Sequence, residues 1–154
     1  MTRLLNCIIS YNRFHYLRNA VDSVREYLRF GDLCVFDDGS DDPVLMHYLQ
    51  QLSDSGVIVV RKERRFHHGY HGGLYELMNE AIDHALSQHY DLLNFIQDDV
   101  QFLWHDPELL VKVMKIFKTH DIVATAWGNR EFKLNRSFFC RNLNTLNFLD
   151  FLHT

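Results

Sequence analysis

Short apolar runs alternate along this chain with longer segments in which apolar residues recur every three or four positions. Runs at 4–9, 33–36, 57–61, 92–96 and 122–126 are rich in branched and aromatic residues and bounded by polar ones, which predicts five strands. Because these runs are nearly continuous rather than alternating, burial on both faces is expected. Between them, residues 14–28 place Leu17, Val21, Val24 and Leu28 on one stripe, the spacing of a crossover helix. A second helix is predicted at 43–52, opened by Pro43 and carrying Leu45, Tyr48, Leu49 and Leu52. A third, at 74–87, lines up Leu74, Leu77, Met78, Ala81, Ile82 and Ala85. A fourth runs from 106 to about 117, with Asp106 as its cap and Pro107 in the first position. Strands alternating with helices predict an α/β fold built on a mostly parallel sheet flanked by helices.

With only two Pro and seven Gly in 154 residues, no linker divides the chain, and one core is expected over residues 1–128. Beyond Gly128 the pattern fades. Residues 129–154 are expected to be an extension packed on the sheet or the start of a further segment.

Composition narrows the classes of function. The formal net charge of -4 gives no general attraction to nucleic acid or to an anionic membrane, so any anion site must be local. No stretch reaches the roughly 18 apolar residues of a spanning helix, and the run before Tyr11 is too short for a signal peptide. A cytoplasmic location is the expectation. Cys7, Cys34 and Cys140 are odd in number and widely spaced, which suits buried thiols better than disulfides or a zinc site.

In open parallel sheets, ligands bind beyond the carboxyl ends of the strands, and the unusual residues fall there. The first strand ends in Ser10-Tyr11-Asn12-Arg13, the second in Asp37-Asp38-Gly39-Ser40 and the fourth in Gln97-Asp98-Asp99. Two adjacent carboxylates repel, and are kept ionised by a cation or strong donors. Asp98 and Asp99 therefore suit a divalent ion shared with phosphate oxygens, although a solvated turn with one Asp capping explains them equally well. Asp37 and Asp38 could accept hydrogen bonds from a nucleoside, with Gly39 turning the chain at positive φ. Ser40, Asp41 or Asp42 should cap the next helix in either case. Residues 61–65 hold four basic side chains against one acid, ahead of the His- and Gly-rich stretch from His67 to Gly73. That run suits a diphosphate or is a solvated loop. His67, His68 and His71 lack the spacing of a zinc site. The chain has no P-loop, no G-x-G-x-x-G after its first strand and no nucleophile elbow, and Tyr11-Asn12-Arg13-Phe14 is not the Gly-rich loop of a nucleotidyltransferase.

Taken together, these segments resemble glycosyltransferase family 2, the inverting enzymes with the GT-A fold. Ile8-Ile9-Ser10-Tyr11-Asn12-Arg13, followed by Leu17, Ala20 and Ser23, is similar to the family's opening motif. Val35-Phe36-Asp37-Asp38-Gly39-Ser40 resembles its nucleoside-binding element, Gly72-Gly73 with Asn79 its helix entry, and Gln97-Asp98-Asp99 its D-x-D element. The resemblance covers about residues 3–105 in the family's order.

This resemblance implies a GT-A (Rossmann-like) fold, a nucleotide-diphosphate sugar as donor and Mg²⁺ or Mn²⁺ as cofactor. The nucleotide-binding set it implies is Ser10, Tyr11, Asn12, Arg13, Asp37, Asp38, Arg65 and Asp98, with Asp99 and Asp98 as metal ligands. Gln97 stands where an acid is frequent, and the family's downstream E-D pair and Q-x-x-R-W element are missing. Glu131 is the one weak candidate for a catalytic base, with Asp121 and Asp150 read as structural. The chain is expected to be either a truncated transferase with an unknown acceptor or a short relative that binds donor without turnover. The second reading, a non-catalytic binding or regulatory module, would suit a homo-oligomer that covers an exposed edge.

Overall fold

The computed structural model describes residues 2–63 and 73–119, together with the backbone of 124–127 and 137–140. The elements follow one another as β1 (Leu4–Ser10), α1 (Phe14–Tyr27), β2 (Asp32–Asp37), α2 (Pro43–Asp54), β3 (Ile58–Arg61), α3 (Leu74–Ser87), β4 (Leu92–Gln97), α4 (Leu109–Thr119), β5 (Ala124–Trp127) and β6 (Ser137–Cys140). They form one six-stranded sheet in the order β3-β2-β1-β4-β6-β5. The first four strands are parallel, and β6 runs antiparallel to both β4 and β5. An α/β architecture on a mostly parallel sheet is thus what the sequence pattern builds.

Successive strand residues point to opposite faces, and this alternation sorts the core into two layers. Leu4, Ile8, Val35, Leu92 and Ile96 pack against Leu17, Val21 and Val24 of α1, Leu45, Leu49 and Leu52 of α2, and Val113 and Phe117 of α4. Leu5, Cys7, Cys34, Phe36, Leu93 and Phe95 meet Leu77, Met78, Ala81, Ile82 and Ala85 of α3 on the opposite face. Each fully buried Leu, Ile or Val stabilises the fold by roughly 1.5–3 kcal/mol relative to exposure. Helices therefore cover both faces, and the stripes read from the sequence are the ones that pack.

Two boundaries and one environment differ from expectation. Asp106 accepts a hydrogen bond from the Glu108 backbone N–H at 2.9 Å, but Pro107 and Glu108 form a turn and α4 begins only at Leu109. The strand expected at 122–126 is found as β5 two residues later. Burial on both faces fails for β3, whose residues are half-buried or exposed, because β3 pairs only with β2 and forms an edge of the sheet. β6 lies within the segment whose pattern fades, and its four residues fill the sheet between β4 and β5.

Chain order reverses at β1. From it the chain steps outward to β2 and β3, then returns to place β4 on the other side. Such a switch point opens a crevice between the loops that leave the two central strands. Here those loops are Tyr11–Arg13 after β1 and Asp98–Asp99 after β4. Cys7 and Cys34 are buried neighbours within the sheet, and burial pushes the Cys34 thiol well above its usual range. No helix among the described residues is long and apolar enough to cross a membrane.

Candidate functional site

The loops after β1 and β2 are bound into one unit. Asn12 adopts a φ of 49°, a left-handed conformation that Asn tolerates better than most residues. In that pose its backbone N–H donates to Ser40 Oγ at 2.9 Å and its side-chain amide donates to Asp41 Oδ1 at 2.8 Å. Asn12 Oδ1 accepts from the Asp41 and Asp42 backbone N–H groups. Gly39, at a φ of 72°, makes the turn between them. Asp42 then caps α2, accepting from the Val44 N–H at 2.9 Å with Pro43 in the first turn.

Asp37 and Asp38 occupy different environments. Asp37 is fully buried, and accepts from the Ser40 backbone N–H, the Ser40 hydroxyl and Arg61 Nε. Arg61 Nη2 also donates to the Ser40 carbonyl at 3.0 Å. Asp37 is thus fully spent in holding the β2 turn against the end of β3. Asp38, half-buried, points toward α3 and accepts from the Gly73 N–H at 2.8 Å. A Cβ on Gly73 would stand 2.3 Å from Asp38 Oδ1, so this glycine is set by the close approach of the carboxylate.

A similar division holds after β4. Asp98 is 1% exposed and takes a two-point pairing from Arg13 through Nε and Nη2. Burial raises its carboxyl above the usual range, while the Arg13 guanidinium and the nearby Ser10 hydroxyl act in the other direction. Arg13 sits at the N-cap of α1 without capping it, and lies over the Tyr16 ring. Its third nitrogen, Nη1, is 3.8 Å from Asp99 Oδ2. Asp99 keeps about a third of its side chain exposed, yet its Oδ1 is buried and has no hydrogen-bond partner among the described residues. A buried anionic oxygen without a donor is costly, which marks Asp99 as the carboxylate here with binding capacity left over, beside a Ser10 Oγ that is likewise buried and unpartnered among the described residues.

The residues singled out from sequence therefore separate into two sets. Asn12 and Asp37 are consumed within the scaffold, whereas Ser10 is buried at the end of β1 with an Oγ that has no hydrogen-bond partner among the described residues. Arg13 and Asp98 are engaged with each other across the switch point. Tyr11, Asp38 and Asp99 are at least partly exposed around it. Of the basic run, Arg61 serves Asp37, and Lys62 pairs with Glu76 and Glu80 of α3 at 2.8 and 3.1 Å. Arg65 and the three histidines at 67, 68 and 71 lie outside the described residues, as do Asp121, Glu131 and Asp150. Sequence reasoning missed the seat that Gly73 provides for Asp38 and the Arg13–Asp98 pairing. A signal for the second was present, since alternation from Ile96 turns Asp98 toward the α1 face and Asp99 away from it.

The model of glycosyl transferase family 2 matches residues 7–149. Among solved structures, a mannosyltransferase from Pyrobaculum calidifontis in complex with GDP-mannose and Mn²⁺ superposes with a TM-score of 0.63 at 15% identity, covering 90% of this chain and 44% of that one. Staphylococcus aureus TarS 1–349 in complex with UDP gives 0.59 at 16% identity, covering 86% and 38%. The same TarS fragment with UDP-GlcNAc gives 0.56 at 15%, covering 86% and 37%. The chain thus shares the GT-A fold while spanning less than half the length of these proteins. No curated protein is similar enough to count as a relative.

Proposed function

The chain belongs to glycosyl transferase family 2, and on that footing we propose that it binds a nucleotide-diphosphate sugar with a divalent metal at the β1/β4 switch point, for transfer of the sugar to an acceptor hydroxyl. The observation that carries this reading is the buried, unpartnered Oδ1 of Asp99 beside a partly exposed carboxylate edge. A hard cation takes oxygen ligands, and Mg²⁺ or Mn²⁺ usually binds through one or two carboxylates, completing its shell with phosphate and water. Asp99 is the residue that fits as ligand in that mode. When bound, the metal supplies neutralisation of charge on the leaving diphosphate.

The remaining roles follow from what each side chain has left to offer. Asp38 accepts from a nucleoside hydroxyl or imide with the edge not taken by Gly73. Tyr11 lines the rim, and Asp98 shapes the acidic floor rather than ligating directly, because Arg13 occupies both of its oxygens. Transfer with inversion also needs a base within reach of the acceptor hydroxyl, and Glu131 is the candidate for that task. Calorimetric titration with GDP and UDP, each with Mn²⁺ and with chelator, tests the reading: metal-dependent binding is expected in the wild type and its loss in Asp99→Ala. Equal binding with and without chelator overturns the assignment.

A second reading has one observation in its favour, the Arg13–Asp98 pairing, which takes one of the two acids out of metal binding. On that reading the chain is a binding or regulatory module that holds nucleotide sugar without turning it over. Slow release of free sugar from a panel of nucleotide sugars favours the enzyme, and tight binding without release favours the module.

A further inference from the structure

We propose that Arg13 is a resident counter-ion for the acidic pair, so that a divalent metal is accepted at Asp99 only together with a nucleoside diphosphate. This deepens the reading above and rests on it. Arg13 binds both oxygens of Asp98 and places Nη1 3.8 Å from Asp99 Oδ2. Two carboxylates and one guanidinium leave about one negative charge at the site, and a metal approaching Asp99 meets a fixed positive charge close by. Of the two carboxylates, only Asp99 has an oxygen that the guanidinium leaves unfilled. One carboxylate opposed by a guanidinium makes a poor site for a free divalent ion.

A diphosphate changes both terms. It adds ligand oxygens for the metal, and its negative charge offsets Arg13, whose side chain is 47% exposed and can reorient at its outer edge. Nucleotide and metal then bind with positive coupling, and by linkage each tightens the other by the same factor. A second role follows for the Arg13–Asp98 pair. It keeps a buried carboxylate satisfied while the site is empty, where two adjacent unpaired acids would repel.

The test is a set of calorimetric titrations with MnCl₂ alone and with MnCl₂ in the presence of GDP or UDP. Wild type should bind Mn²⁺ with nucleotide present and at least tenfold more weakly without it, a coupling of the usual size for linked sites. Arg13→Gln, shown folded by its thermal transition, should gain roughly tenfold in affinity for Mn²⁺ alone. Arg13→Lys keeps a charge but cannot reach both carboxylates in the same way, and should show a smaller gain. If wild type binds Mn²⁺ equally well with and without nucleotide, the inference is overturned while the proposed function stands. No gain in Mn²⁺-only binding by either folded variant also overturns it. If wild type binds no Mn²⁺ even with nucleotide, the metal reading itself fails and the inference goes with it.

Discussion

The two acidic pairs that leave β2 and β4 look alike in sequence, yet in the structure they divide their labour in different ways. After β2, Asp37 is buried and surrounded by donors from Ser40 and Arg61, while Asp38 anchors the start of α3 through Gly73. After β4, Asp98 is buried against Arg13, and Asp99 holds a buried oxygen with no hydrogen-bond partner among the described residues. One turn is closed by Ser40 three residues on and by Arg61 24 positions on, and the other by an arginine 85 positions distant. A saturated pair builds scaffold, whereas a pair with an unfilled oxygen invites a ligand.

Asp37→Ala should have the largest effect on stability. It removes the acceptor for three donors at a fully buried position, and each donor left buried without a partner costs roughly 1–3 kcal/mol. Chemical denaturation should show this loss with little change in the slope of the transition. A stability change under about 1 kcal/mol would place Asp37 among the ligand-binding residues instead and erase the contrast between the two turns.

Asn12→Ala ranks second, at roughly 2 kcal/mol. The variant loses the side-chain bonds to Asp41 and Asp42 and puts Ala at a φ of 49°, which it tolerates less readily than Asn does. Asn12→Gly keeps the backbone free of that strain and should recover part of the loss. Equal stabilities for the two variants would show that the hydrogen bonds, and not the backbone geometry, set the cost.

Much of this arrangement is legible in the sequence, and the illegible parts share a cause. α3 falls at the expected residues 74–87 and β1, β2 and β4 within a residue or so of theirs, because their periods are strong and local. The division of Asp37 from Asp38 is also readable, since alternation after Val35 and Phe36 turns one toward α2 and the other toward α3. β6 was not readable. Its four residues have no period of their own, and their place is fixed by antiparallel pairing with β4 and β5. Arg13 entered the nucleotide-binding set through the family resemblance, and its pairing with Asp98, 85 positions away, is what the structure adds.

Gly73→Ala should cost roughly 1–3 kcal/mol in stability, since the added Cβ meets the Asp38 carboxyl at Cγ as well as at both oxygens and forces it aside. Its larger effect should be on binding. With Asp38 displaced from the Gly73 N–H, affinity for a nucleoside alone should fall, as it should in Asp38→Ala. If Gly73→Ala binds guanosine and uridine as well as wild type does, the position of Asp38 is irrelevant to nucleoside recognition and its role is only to anchor α3.

Asp99→Asn should leave stability within about 0.5 kcal/mol of wild type. The side chain is partly exposed, its Oδ1 has no donor to lose, and its contact with Arg13 is a distant 3.8 Å. Removing a charge that repels Asp98 offsets what little is lost. The same substitution should abolish metal-dependent binding of nucleoside diphosphates, because an amide oxygen is a far weaker ligand for a hard cation than a carboxylate. Thermal melting and calorimetry on one preparation separate the two effects. A marked fall in melting temperature without loss of metal-dependent binding would reverse the assignment, making Asp99 scaffold and leaving the ligand to other oxygens of the crevice. A near-silent melt with lost binding is the behaviour expected of a residue whose unfilled oxygen is its function.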